Sequence, residues 1–394
     1  NQGFDEAFFT GYNQILSVNN RIAEGVNASI GLFEDALPED PYKLDDTFIT
    51  KGWVQIAEGT KGGETRQWGD NTLETYKAID PEAQRRTLDF IERSVEAGKP
   101  FYVANWPNMV SFIPDPEKCS VARSLLQDGL QCNIDPFMGQ LKAKLEELGV
   151  AENTLIIAMA DNGPMAHNPP PGLGMAETIY RGGKGDFLEG GVRVPAQAWW
   201  PGTIAPGQIV GDILHEVDLF TTFARIAGAT EYIPTDRVID GIDQTSLLLN
   251  GDTHSRRDYV FIYAGPQLGA TVKGNYKRHW ISSDPVGEAS GIPAAFYFLP
   301  ADPREKTPML VNLIHLKSPF NRMKLRHDLW KAKYPDAEEV RGVAWTGIAN
   351  ASPEIEALAK PPVDLANLPF DPLEYVEHLD ELPFDPAMDP DFGK

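Results

Sequence analysis

The sequence has 394 residues, of which 42% are hydrophobic and 23% are charged, a globular composition long enough for one large core and a smaller domain. Its formal net charge of −22 argues against nucleic-acid binding, which requires clustered Lys and Arg residues. No stretch approaches about 18 consecutive apolar residues, so no transmembrane helix is predicted.

The first 250 residues alternate predicted helices with apolar strands. Residues 1–80 are rich in Gly, Asp, Asn and Thr and predict loops with short strands. The predicted elements that follow are a helix from Asp80 to Gly98, a buried strand at 100–105, a helix from Pro136 to Gly149, a buried strand at 154–160, a strand at 192–200 and a helix at 218–227. An apolar run after an amphipathic helix is typical of a central parallel strand. This order predicts a doubly wound, mostly parallel α/β sheet with helices on both faces.

After residue 250 the pattern of predicted elements changes, which predicts a smaller C-terminal α+β domain. Residues 259–263 and 276–281 predict antiparallel strands, and residues 321–333 predict an amphipathic helix. From Pro361 the segment Leu-Pro-Phe-Asp-Pro occurs twice, which favours an extended arm docked on a surface over a loose acidic tail. The predicted domains are therefore 1–250 for the α/β core, 251–360 for the C-terminal domain and 361–394 for the tail.

The strongest chemical motif follows the apolar strand at 154–160. Asp161, Asn162 and Gly163 come directly after it, and ligand sites of open α/β sheets lie at the carboxyl ends of strands. A carboxylate beside an amide oxygen offers hard ligands for Ca²⁺ or Mg²⁺. Taken alone, the same three residues are also a common turn.

A glycine-rich segment at 181–195 forms the second motif. Its glycines allow the backbone to approach a ligand closely, and Lys184 among them offers a mobile positive charge for an anionic oxygen. The segment is not a Walker loop, because the spacing and the Lys-Ser/Thr pair are missing. In isolation it could also be a solvated turn.

Together these motifs resemble the type I sulfatases of the alkaline phosphatase superfamily. In that family an apolar strand ends in Asp-Asn-Gly, and a Gly-Gly-Lys-Gly…Glu-Gly-Gly-x-Arg-Val-Pro segment follows, as in "NTLIIAMADNGP" and "RGGKGDFLEGGVRVPAQAWWPG" here. Matching segments also lie at 3–9, 86–103, 139–154, 240–248 and 255–261. The resemblance implies an alkaline-phosphatase-like fold and covers most of residues 1–330.

The resemblance also implies a mechanism for sulfate ester hydrolysis. A formylglycine made from Cys or Ser attacks sulfur while a divalent cation, usually Ca²⁺, and basic residues stabilise the sulfate oxygens. By this match Asp161 and Asn162 are metal ligands and Lys184 binds the sulfate. Two oxygen ligands are fewer than Ca²⁺ or Mg²⁺ takes, so we expect an incomplete metal site in this chain.

Several family features are displaced or missing in this sequence. The family's Asp-Asp pair and Cys/Ser-x-Pro/Ala-x-Arg segment precede its Gly-Phe-Asp segment, with which this chain begins, so we expect the chain alone not to turn over sulfate esters. Cys119 begins a degenerate copy of the formylglycine motif and is alternatively a small buried thiol. Ser111 stands where the family has His and cannot act as an acid near neutral pH. His167 lies close enough in sequence to Asp161 to reach the site, or is a surface residue.

Three functions remain open at this point. The first is hydrolysis of organic sulfate esters, the second is a non-catalytic subunit with a scaffold or partner-binding role, and the third is a phosphate or phosphonate monoester hydrolase. The corresponding partners are a small sulfate ester, or a protein partner or complementary N-terminal fragment. We expect a periplasmic or extracellular location. A disulfide between the two cysteines, Cys119 and Cys132, is geometrically possible.

Overall fold

The structure is a computed structural model that describes residues 3–10, 56–69, 75, 78–107, 129–164, 179–251, 254–281, 295–309 and 314–335. The chain divides into two compact units, one formed by 1–12, 45–76 and 337–394 and the other by 13–44 and 77–336. The tail at 361–394 lies outside the described residues, so its docking stays a prediction, as do the domain boundaries at 250 and 360. Within the described ranges, no helix is long and apolar enough to cross a lipid bilayer.

The first unit contains a small antiparallel sheet, in agreement with the short strands predicted for residues 1–80. Its strands are β1 (Glu6–Thr10), β2 (Ile56–Thr60) and β3 (Arg66–Gln67), with β2 in the centre. Ile56 is buried in β2, and the rings of Phe8 and Trp68 meet edge to face at 5.2 Å. These apolar contacts lie on a sheet whose other side chains are largely exposed.

Helices make up much of the second unit. They are α1 (Ile79–Glu96), α2 (Asp135–Glu147), α3 (Glu189–Val192), α4 (Glu216–Ile226), α5 (Thr245–Asn250) and α6 (Ile314–Lys333), with a π-helical turn at Gly129–Ile134 and 3₁₀ turns at Ala151–Asn153 and Thr230–Tyr232. Gly98 and Gly149 follow α1 and α2 with φ of 63° and 69°, the left-handed conformation that ends many helices. The two helices therefore end where their glycines predict.

The prediction of a buried strand at 100–105 is wrong for the described structure. Residues 101–107 belong to no strand or helix, and Tyr102 is 63% exposed. Phe101 and Val103 pack on a cluster built around Ile91 and Leu145, so one side of the segment is covered and the other is not. The apolar side chains alternate in direction, and no described strand lies beside the segment to hydrogen bond with it.

One pair of strands flanks the predicted site in the chain. Strands β4 (Ile156–Met159) and β5 (Ala196–Trp199) are antiparallel, with Met159 opposite Ala196. Both strands were predicted, but β4 is half-buried where full burial was expected, and no parallel neighbour occurs in the described part of the chain. The chain reverses direction between the two strands, so their pairing is antiparallel.

The C-terminal part of this unit is a four-stranded antiparallel sheet with one long helix against it. Its strands are β6 (Tyr259–Ala264), β7 (Gln267–Lys273), β8 (Tyr276–His279) and β9 (Phe296–Phe298), paired in that order. This confirms the antiparallel strands predicted at 259–263 and 276–281. Phe320 and Met323 of α6 are buried against Phe296. Helix α6 begins earlier than predicted, at Ile314, and contains Pro319, a residue that usually breaks helices.

Candidate functional site

Asp161 lies at the carboxyl end of β4, where the sequence predicted it. The amide of Ala160 donates to the carbonyl of Pro195 at 3.3 Å, which extends the strand pairing by one bond before the chain turns. Asp161 is exposed, Asn162 is half-buried and Gly163 is buried. The turn thus presents its two oxygen-bearing side chains outward while its glycine faces the protein.

Gly163 is buried because the backbone of the second motif lies directly against it. The amide of Gly163 donates to the carbonyl of Gly191 at 2.9 Å, and a Cβ at Gly163 would lie 1.7 Å from the carbonyl oxygen of Gly190. At Gly190 a Cβ would lie 2.3 Å from the carbonyl oxygen of Gly182. No side chain fits at these distances, so the glycines of the second motif allow three backbone segments to pack in contact.

The same packing brings Lys184 to the Asp161 turn. The amide of Lys184 donates to the carbonyl of Pro164 at 2.8 Å, and the Lys184 side chain is exposed. The structure therefore joins the two predicted motifs through their backbones, with both charged side chains available to solvent. Convergence of the Asp161 carboxylate and the Lys184 amine on one ligand stays a prediction.

A third charged side chain, Glu216, lies near Asp161 and was not predicted. Burial raises the pKa of the Glu216 carboxyl, and the negative charge of Asp161 raises it further. Glu216 is the first residue of α4, whose start is fixed by His215: the amide of Val217 donates to its Nδ1 at 3.2 Å, and its own amide donates to Asp218 Oδ2 at 3.0 Å. Glu216 is distant in sequence from both motifs, so only the fold identifies it.

The oxygen donors at this turn fit a hard divalent cation in type but not in number. Nδ2 of Asn162 donates to the carbonyl of Gly163 at 2.7 Å, which leaves the amide oxygen without a donor among the described residues. With the carboxylates of Asp161 and Glu216 this makes three oxygen donors, whereas Ca²⁺ takes about six to eight. In the ranges that the structure describes, no group of three or more His, Cys, Asp or Glu side chains is placed to hold a metal ion.

The glutamate of the Glu-Gly-Gly motif points away from this turn, into a buried ionic network. Lys277 Nζ lies 3.1 Å from Glu189 Oε1 and 3.3 Å from Glu305 Oε2. Glu305 also accepts a hydrogen bond from the Glu189 amide at 2.7 Å and lies 2.5 Å from His279 Nε2. All four residues are at most 4% exposed. These charges are closed to solvent and hold the second motif on the C-terminal sheet.

Two features of this network can be explained from its surroundings. Burial lowers the pKa of His279 despite the opposing effect of Glu305, so the neutral ring donates to that carboxylate. Glu305 has φ of 49°, a rare conformation for a residue with a Cβ, and its three partners hold it there. Lys277 and His279 are two residues apart in β8 and therefore lie on the same, buried face of the strand, which is the one local sequence signal for this network.

Two further family-like segments, at 240–248 and 255–261, contribute to structure and not to the turn. Arg257 Nε donates to Asp218 Oδ2 at 2.7 Å, and Arg257 Nη2 lies 2.5 Å from Asp218 Oδ1. Burial would raise the pKa of Asp218, but the hydrogen bonds from Arg257 and two backbone amides lower it overall. Asp218 is fully buried, so this ion pair fixes the helix that begins with Glu216.

The remaining predicted site residues, Ser111, His167 and Cys119, lie outside the described residues. Cys132 is described and is disulfide-bonded. The sequence has one other cysteine, Cys119.

Comparisons with known proteins agree with this arrangement. Residues 111–229 match the family model described as Sulfatase. The chain is 40% identical over 170 residues to the steryl-sulfatase of Rattus norvegicus, covering 42% of this chain and 27% of that protein. It is 34% identical over 259 residues to the N-acetylgalactosamine-6-sulfatase of Canis lupus familiaris, covering 64% of this chain and 46% of that protein. The chain thus spans less than half the length of these relatives.

A solved structure extends the match to the fold. The PsFucS1 sulfatase from Pseudoalteromonas sp. superposes with a TM-score of 0.62 at 30% identity, over 72% of this chain and 59% of that one. The family model, the mammalian relatives and this structure all support the resemblance to the type I sulfatases. This confirms the predicted fold class, an alkaline-phosphatase-like α/β protein with a separate small sheet domain.

Proposed function

We propose that the protein containing this chain hydrolyses organic sulfate esters, with the Asp161 turn and Lys184 as its sulfate- and metal-binding part. The observation that supports this most directly is the 2.8 Å hydrogen bond from the Lys184 amide to Pro164, which joins the two family motifs. The PsFucS1 structure and the mammalian relatives are named as sulfatases, and the motifs by which this chain resembles them are the two that this bond links.

Lys184 would stabilise the negative oxygens of the sulfate group. The glycine packing fixes the backbone that carries Lys184. The exposed, flexible side chain can therefore reach a sulfate from a constant attachment point. Asp161 and Asn162, with Glu216, would hold Ca²⁺ or Mg²⁺. The bound cation would supply positive charge that withdraws electron density from the sulfate. The described donors supply part of its coordination, so other residues of the protein must complete it.

A location outside the reducing cytosol is part of the same proposal. The disulfide at Cys132 supports it, because disulfides persist mainly in oxidising compartments. We expect the bond to be intact in protein isolated without reductant. Mass spectrometry of a non-reduced digest tests this, and a free Cys132 thiol would remove the support.

The test of activity uses the complete encoded protein, including any residues before Asn1, with 4-nitrophenyl sulfate and Ca²⁺. Hydrolysis is expected, with a loss of about 100-fold or more in Lys184→Met, since one lost charge donor at a developing anion has that effect. Lys99→Met is the matched control, because Lys99 is exposed and far from both motifs in sequence. Full activity in Lys184→Met would refute the assignment.

The same assay separates the two alternative functions. Faster turnover of 4-nitrophenyl phosphate than of the sulfate would favour a phosphate monoester hydrolase. Binding of inorganic sulfate that depends on Lys184, with no turnover of either ester, would favour a non-catalytic subunit. For the 394-residue chain alone we expect binding without turnover.

A further inference from the structure

Helix α6 has an unusual charge for this protein. Its residues Ile314–Lys333 include six Lys and Arg residues and one acid, Asp328, so the helix carries a charge of +5 in a chain of −22. The basic residues are Lys317, Arg322, Lys324, Arg326, Lys331 and Lys333. The protein as a whole is strongly acidic, so the charge of this helix is opposite in sign to the net charge of the chain.

Three of these cations face solvent without an acidic partner. Lys324 pairs with Asp328 at 2.7 Å, but Lys317, Arg322 and Arg326 are exposed and have no ion pair among the described residues. Arg322 and Arg326 are one helical turn apart and so lie on the same face. From Lys317 to Lys333 the helix rises about 24 Å, at roughly 1.5 Å per residue.

Apolar side chains lie on the same exposed side. Leu325 and Leu329 are 58% and 62% exposed, whereas the core contacts of the helix come from Phe320 and Met323. Lys317, Arg322 and Leu325 also line a shallow depression at the start of this face. An amphipathic helix would bury such leucines, so these apolar side chains are not explained by packing of the described core.

Two aromatic rings lie at the end of the helix. Trp330 and Tyr334 stack with centroids 5.3 Å apart and an interplanar angle of 17°, and both are more than 40% exposed. Lys333 lies over both rings, at 5.6 Å and 5.1 Å from their centroids. An exposed, oriented aromatic face packs well on the apolar face of a sugar ring, and cations beside it attract negative substituents.

We propose that this face, defined by Lys317, Arg322, Leu325, Arg326, Leu329, Trp330, Lys333 and Tyr334, binds an anionic polysaccharide bearing sulfate or carboxylate groups. Separate cations spaced along about 24 Å of helix suit a long ligand with charges at intervals. A nucleic acid duplex has one charge per roughly 1.7 Å and would be repelled more strongly by the acidic remainder of the protein. The proposal goes beyond ester hydrolysis and does not depend on it.

The test measures binding of fluorescently labelled dextran sulfate to the 394-residue chain by anisotropy at low and physiological salt. Binding should weaken with salt, because exposed charges are screened. The double variant Arg322→Glu/Arg326→Glu should weaken binding by about tenfold or more at low salt, since two attractive contacts become repulsive. Trp330→Ala should weaken it by a smaller factor, because one face of the stacked aromatic pair is lost.

The matched control is Lys99→Glu/Lys306→Glu, which changes the net charge equally at two other exposed lysines. An equal loss in this control would mean general repulsion and would overturn the proposal. So would equal binding of neutral dextran, or tighter binding of duplex DNA through the same two arginines. Unfolding midpoints of the variants, expected to match the parent chain, exclude loss of the fold as the cause.

Discussion

Asp161 and Lys184 are exposed to solvent, whereas Glu189, Lys277 and Glu305 are almost completely buried, although Lys184 and Glu189 belong to the same glycine-rich segment. The exposed pair is positioned through backbone hydrogen bonds and glycine contacts, which leaves its side chains free to meet a ligand. The buried set is positioned by its own charges, which contact one another. Within one motif, burial therefore separates the charges that maintain structure from those available for chemistry.

The largest loss of stability is expected from a change in the buried ionic network. Lys277→Met removes the cation shared by the buried carboxylates of Glu189 and Glu305 and leaves Glu189 only a 3.5 Å contact with Arg193, so we expect a loss of about 3–5 kcal/mol in the free energy of unfolding, as for other broken buried pairs. Chemical denaturation measures it. Lys273→Met, which breaks an exposed pair with Asp258, should lose at most about 1 kcal/mol.

A second change distinguishes unpaired charge from lost packing at Lys277. Adding Glu305→Gln to Lys277→Met removes the charge of one of the two carboxylates that lose Lys277 and should recover part of the lost stability. If the double variant recovers no stability, or if Lys277→Met loses as little stability as Lys273→Met, the buried ion pairs do not stabilise the fold.

The glycine contacts beneath the exposed pair give the next largest effect. Gly163→Ala places a Cβ 1.7 Å from the carbonyl of Gly190, so the backbone must move, at a cost of about 1–3 kcal/mol or more. Gly139→Ala is the control: it lies within α2 with no atom near its Cβ, and should stabilise by about 0.5–1 kcal/mol. Denaturant midpoints compare them. Equal outcomes at the two positions would refute the close packing.

Acidification should weaken the buried network through His279. Burial lowers its pKa below the ordinary value of about 6.5, so below that pH the unfolded chain binds more protons than the folded one. The contribution of His279 to the free energy of unfolding is therefore fully present above about pH 6.5. It falls as the pH drops toward the folded pKa, by at most about 1.4 kcal/mol per pH unit for one group. His215, whose pKa burial also lowers, contributes in the same direction.

His279→Gln tests this assignment. Gln can still donate to Glu305 but does not titrate, so the slope of unfolding free energy between about pH 6.5 and 5 should decrease. His315→Gln, at an exposed histidine, should leave the slope as it is. A slope that persists unchanged in His279→Gln would assign the effect to other groups.

The smallest expected effect is at the exposed pair. Lys184→Met should change the free energy of unfolding by no more than about 0.5 kcal/mol, because Lys184 is exposed and is held only through its backbone amide. Thermal unfolding measures this. A loss comparable to that of Lys277→Met would mean that Lys184 is a structural residue after all.

Local sequence signals predicted most elements of the second unit. Glycines marked the ends of α1 and α2, and local composition marked β4, β6 and β8, because these signals act within a few residues. The segment at 101–107 was misjudged since its composition suits a strand, but pairing depends on a neighbour that composition does not reveal. Strand β7 was missed although its residues at 269–272 are buried.

The candidate site, like the fold, was predicted only in part from the sequence. Its motifs predicted that Asp161, Asn162 and Lys184 converge; the structure joins the two motifs through backbone contacts that glycine spacing allows, and convergence of the side chains stays a prediction. Glu216 was missed because its proximity to Asp161 arises from the path of α4. The network was missed because Glu189 and Lys277 are 88 residues apart, and long-range pairing of charges leaves only the faint alternation in β8 as a signal.

Binding of inorganic sulfate in the presence of Ca²⁺, measured by titration calorimetry, tests the sulfate site most directly. The chain and its Lys99→Met variant should bind sulfate with the same Kd, and Lys184→Met should bind it about tenfold more weakly or worse, because a charge-assisted contact is worth roughly 1.5–3 kcal/mol. Equal affinity in all three proteins would contradict the assignment of Lys184 to the sulfate.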